Sequence, residues 1–192
     1  MIFKNFFKSK DEKTLKTAII KGTDDTIKYF SLYILEKYRD KKIKTIGKEE
    51  VSKILFLANL NYYKEKNKFL FDNDFMLIDG IYQFLDVYNL FCNIYGKNDI
   101  KDIEPTSEII IDDVFEMEKE ILKRYKKEFK IENEAKEIID SVIMLYTNKD
   151  KETEVIRNIS DNIFYAMLLK TVKLFPVLKM ENLKEIMDQK II

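Results

Sequence analysis

The sequence predicts a mainly α-helical fold, a compact bundle of about seven helices with a short β-hairpin or extended segment near residues 68–80. Three observations predict it. Four glycines and two prolines in 192 residues leave out the usual punctuation of sandwiches and barrels. Apolar side chains recur at helical spacing, as in Ile27, Phe30, Ile34 and Tyr38. Apolar residues at 46% and charged residues at 35% supply both a core and a soluble surface.

Residues 1–22 stand apart as a basic arm. Six lysines face Asp11 and Glu12 there, a net of +4 in a chain whose total is zero. Ile2, Phe3, Phe6 and Phe7 share one helical face beside Lys4 and Lys8, an arm suited to packing on the body or on a second copy. A short helix is expected over 11–21, with Leu15, Ala18 and Ile19 inward and Gly22 as its stop. Residues 23–192 read as one helical domain.

Thr23-Asp24-Asp25 caps the next helix, because short polar side chains accept bonds from free backbone N–H groups. RDKKIK is an exposed turn. Gly47 precedes KEEVSKILFLANLNYYKEK, where Val51, Ile54, Leu55, Leu57, Ala58 and Tyr62 cover more than one face. That width marks a central helix. In KFLFDNDFMLIDG the spacing of Phe69, Phe71 and Phe75 suggests extended backbone turning at Asp72-Asn73-Asp74, and Asp79 with Gly80 opens the next helix. Helical spacing resumes from Tyr82 through Phe84, Leu85, Tyr88, Phe91, Cys92 and Tyr95 to Gly96. Residues 97–108, with Pro105, form the longest polar connection. Helices are then expected over 112–128 and 132–147. Residues 151–174 read as helical at both ends with Ser160-Asp161-Asn162 as a cap between, and an amphipathic helix over 180–189 closes the chain.

Composition narrows the chemistry. There is no histidine, so a Ser–His or Cys–His nucleophile has no base. One cysteine excludes an internal disulfide, and Cys92 reads as a buried thiol in a reducing compartment. The glycines at 22, 47, 80 and 96 are too far apart for a phosphate loop. Carboxylates are the remaining catalytic candidates: Asp72, Asp74 and Asp79 for Mg²⁺ or acid/base work, against a plain role in shaping turns. A zero net charge gives no general steering toward nucleic acid, which leaves the lysine-rich arm as the one candidate for such binding. No apolar run approaches membrane-helix length, no signal peptide is apparent, and a cytoplasmic protein without cofactor is expected.

SKILFLANLNYYKEKNKFLFDNDF closely resembles a helix and extended segment of the Panacea antitoxin family, phage-associated bacterial proteins. LIDGIYQFLDVY takes the place of the family's Trp-x-Tyr-Gly-Pro stretch, of which Gly80 alone is kept. KEIIDSVIMLYTNKDKETEVIRNISDNIFYAM is similar to its C-terminal pattern, with Asn158 to Asn162 replacing Ser-His-x-Asp-Pro. The resemblance spans about residues 25–170. It implies a diverged, non-catalytic helical domain that neutralises a cognate toxin by binding it. The hairpin and its neighbouring tyrosines would then form the contact surface: Tyr62, Tyr63, Phe71, Asp72, Asp74, Asp79, Gly80 and Tyr82. The alternatives are an orphan adaptor or structural protein of mobile-element origin, a carboxylate Mg²⁺ enzyme, and a nucleic-acid-binding module. Self-association stays open.

Overall fold

The computed structural model describes residues 25–71, 73, 75–78, 81–94, 108–117, 119–128, 131–172, 177–178 and 184. The arm of residues 1–22, the Thr23-Asp24 cap, the connection around Pro105 and nearly all of the expected 180–189 helix lie outside them, as does the side chain of Cys92. The described part is mainly helical with a short hairpin, as the sequence predicts, and its strands form two small antiparallel sheets.

Helix α1 (Asp25–Asp40) buries Ile27, Phe30, Ile34 and Tyr38 as the spacing requires, and Tyr29, Leu32, Tyr33 and Leu35 as well. It ends in a backbone knot. The Ile43 N–H donates to the Tyr38 carbonyl at 3.0 Å and the Lys42 N–H to the Arg39 carbonyl at 2.8 Å. This closure needs a left-handed residue, and Lys42 takes it with φ 62.

Strand β1 (Thr45–Gly47) leads straight into α2 (Lys48–Lys66), whose start and end match the sequence reading. Helix α2 is buried on most faces, from Val51 to Tyr63, and packs against α1 and the elements that follow. Asn67 closes it in the left-handed region at φ 55, with its N–H on the Tyr63 carbonyl at 2.8 Å.

The next segment departs from expectation in detail. Strands β2 (Phe75–Ile78) and β3 (Ile81–Phe84) pair antiparallel, Phe75 with Phe84 and Ile78 with Ile81. The hairpin therefore turns between Ile78 and Ile81, whereas Asp72 and Asp74, where the turn is expected, lie outside the described residues. Ile81–Phe84 is strand, so the helix expected directly after Asp79-Gly80, and from Tyr82, does not begin there. Helix α3 (Leu85–Ile94) starts after it. The physical reason is the core. Phe75 and Phe84 sit opposite each other with ring centroids 4.7 Å apart, and both are fully buried. Phe56 packs on Phe75 at 4.8 Å and Phe71 on Phe84 at 5.3 Å. Helical backbone at 81–84 would break this pairing.

Strand β4 (Glu108–Ile110) pairs with β1, setting buried Ile46 opposite buried Ile109. It runs directly into α4 (Ile111–Met117), followed by α5 (Lys119–Glu128), where one helix over 112–128 is expected. Helix α6 (Asn133–Thr147) buries Ala135, Ile138, Ile139, Val142 and Ile143 against α2. Helix α7 (Lys151–Val172) is continuous, so Ser160-Asp161-Asn162 is not a cap. Strand β5 (Val177–Leu178) adds to β2, giving the order β3-β2-β5.

Candidate functional site

Two features of the described surface share helix α7. The first is a cleft of about 360 Å³ at the N-terminal end of α2. Gly47, Glu49, Glu50 and Lys53 form its floor, Glu108 of β4 and Tyr146 of α6 its sides, and Arg157 and Asp161 of α7 its far wall. Its charges largely answer one another. The Lys53 ammonium lies 3.1 Å from Glu49 and 3.5 Å from Asp161. The Tyr146 hydroxyl donates to the other Asp161 oxygen at 2.7 Å.

Glu50 is half-buried there and accepts a hydrogen bond from the Tyr38 hydroxyl. Burial raises the Glu50 pKa above the ordinary carboxylate value, against the opposing pull of the Tyr38 bond, Lys53 and Arg157. Burial, then the Glu50 charge, raises the Tyr38 phenol pKa. Among the described residues no three His, Cys, Asp or Glu side chains are placed to hold a metal ion.

The second feature is the outer face of α7. At 100° per residue, Thr153, Arg157 and Asp161 follow one another on the side that meets the domain. All three are polar. Val155 and Ile159 point the other way, with Ile156 on the flank between, and the three are 57%, 53% and 44% exposed. An ordinary surface helix has the opposite arrangement. Glu152 and Asn162, both exposed, extend the same outer stripe at its two ends. Ile110, 51% exposed, shares the outward face of β4 with Glu108 and so stands beside the cleft.

The residues singled out in the sequence lie elsewhere. Tyr62 and Tyr63 are about 18 Å from Glu50 along the α2 axis, at 1.5 Å per residue. Tyr62 is buried and donates its hydroxyl to Glu132 at 3.1 Å, with the Lys68 ammonium 5.7 Å from its ring. Tyr63 is buried and stacks on Phe69 at 4.4 Å. Phe71 is buried between Phe30 and Phe84. Tyr82 pairs with Leu77 in the hairpin, and its side chain lies outside the described residues, as do Asp72, Asp74, Asp79 and Gly80. The structure thus brings Tyr62, Tyr63 and Phe71 to the C-terminal half of α2 as packing groups. The cleft residues had two sequence signals, the i, i+4 pairs Glu49 with Lys53 and Arg157 with Asp161, and each reads equally well as a solvated helix face.

Among the described residues no helix is long and apolar enough to cross a membrane. Comparison with protein families, with curated proteins and with solved structures finds nothing that matches the chain.

Proposed function

We propose that the protein is a non-catalytic domain that binds another protein, and that it acts as a cytoplasmic antitoxin against a toxin encoded beside it. The outer face of α7 carries the binding part of this reading. Three branched apolar side chains in two helical turns face water, while Thr153, Arg157 and Asp161 take the inner side. Burying a Val or Ile contributes about 1.5–3 kcal/mol, so leaving three half-exposed forgoes several kcal/mol in the isolated chain. A contiguous apolar stripe of this kind marks an interaction surface. The occupant is a partner protein offering an apolar anchor, with a basic group beside it to meet Glu152. The antitoxin part is supported by the resemblance of residues 25–170 to the Panacea family.

The test is to express the adjacent reading frame alone and then with this protein, scoring growth and co-purification. The expected result is a toxic neighbour, rescued in a stable complex. Ile159→Glu should weaken that complex at least tenfold, since the charge would be buried against an apolar anchor. A harmless neighbour, or a toxic one neither bound nor rescued, overturns the antitoxin reading. A complex indifferent to Ile159→Glu and Val155→Glu overturns the surface.

A further inference from the structure

The way α7 is fastened to the domain has a consequence of its own. Between residues 151 and 162 no side chain is buried. Among the described residues, the hydrogen bonds and ion pair joining these side chains to other elements are made by one carboxylate, Asp161, beside a longer-range attraction of Arg157 to Glu50. Asp161 accepts from Tyr146 of α6 at 2.7 Å and from Lys53 of α2 at 3.5 Å. The remaining side-chain bonds at this end are local: Asp150 accepts from the Thr153 N–H at 2.8 Å and from its hydroxyl at 2.7 Å. Beneath Arg157 and Asp161 lies the cleft of about 360 Å³ in place of packed apolar side chains. By contrast α2 and α6 pack against each other, and Leu55 and Ala58 of α2 and Ile139 and Val142 of α6 are all buried.

Local stability follows buried apolar contact, and elements held by few such contacts open below the global free energy. We infer that residues 151–162 undock from the domain as one unit while α2 and α6 stay folded, and that Asp161 is the latch holding them. This regulates the face assigned above to the partner, and so rests on that reading for its purpose. In the docked state a partner reaches the outer stripe alone. Undocked, the first three turns of α7 can be taken into a groove on the partner, as amphipathic helices are in helix-in-groove recognition.

Hydrogen exchange on the full chain tests the latch without any partner, so its failure and failure of the toxin experiment are separate results. The amides to follow are 155–162, since the first four of a helix lack intrahelical acceptors. In the native protein they should exchange about tenfold or more faster than α2 and α6 core amides. Asp161→Asn should speed 155–162 by roughly another tenfold and leave α2 and α6 unchanged, because a neutral amide no longer holds the Lys53 ammonium. Val155→Gln, on the outer face, should leave the rate of 156–162 as it was. Exchange of 155–162 in step with α2 and α6 overturns the proposal. Equal acceleration of all three helices by Asp161→Asn overturns it as well, and so does a Val155→Gln effect as large as that of Asp161→Asn.

Discussion

Asn59 sits in the middle of α2 with no exposed surface, and its amide holds the backbone that leads into the hairpin. Its Nδ2 donates to the Phe71 carbonyl at 3.0 Å. Its Oδ1 accepts from the Leu70 N–H at 2.7 Å and, at a weaker 3.4 Å, from the Phe71 N–H. Truncation to Ala leaves these backbone groups without that side chain. Phe71 is buried, so its carbonyl meets the full cost of an unmade bond, about 1–3 kcal/mol. Leu70 is half-buried, and water recovers part of its bond. The 3.4 Å contact adds little, and the space left by the amide adds somewhat more. Asn59→Ala should therefore destabilise by about 2–4 kcal/mol, a large share of the roughly 5–15 kcal/mol of a typical domain. In urea that lowers the midpoint by about 1–2 M, for a slope near 2 kcal/mol per M. Asn59→Leu restores volume without polar atoms and should remain well below the wild type. A loss under about 1 kcal/mol for Ala, or a Leu variant as stable as the wild type, would refute the reasoning.

Two further substitutions test other parts of the structure. Lys42→Gly relieves a left-handed lysine and should stabilise by about 0.5–1 kcal/mol, read as a rise of roughly 1–4 °C in Tm. A fall in Tm would show that the Lys42 side chain outweighs its backbone strain. Burial raises the folded-state pKa of Glu50 above its unfolded value of 4.5, so the folded chain binds the proton more tightly. The contribution is complete below pH 4.5 and is lost as pH rises through the folded-state pKa. Glu50→Gln keeps an acceptor for Tyr38 without the charge. It should raise Tm at pH 7 and lose that advantage below pH 4.5, whereas equal gains at both would refute the burial argument.

Much of the helical frame is legible in the sequence, and the reasons differ from element to element. Helix α2 declares itself because Gly47, two early glutamates and a wide apolar face agree. The hairpin is legible as a region but not in its turn. Asp72-Asn73-Asp74 has turn composition, yet Asp79-Gly80 between FMLI and IYQF is the stronger two-residue hairpin signal. Strands β1 and β4 are three residues each and lie some sixty residues apart, so neither carries a local pattern of its own. The candidate site is the least legible part. Ser160-Asp161-Asn162 looks like a break because a polar run inside a helix normally faces water. Here Asp161 faces Lys53 and Tyr146, and the apolar residues take the outside. A periodicity shows that a helix has two faces, but not which one the domain keeps.

The β3-β2-β5 order also sets a timetable for synthesis. Met76 and Phe75 find their second neighbours in Val177 and Leu178, about a hundred residues later in the chain. At roughly 5–20 residues per second, that leaves the nascent hairpin with an open strand edge for about 5–20 s. Its open edge carries Phe75 and Met76, apolar and unprotected in that interval, the kind of edge that recruits strands from other chains. The two residues of β5 thus act as a late seal. A ribosome stalled before residue 177 would hold a chain with most of its helices made and its sheet still adhesive.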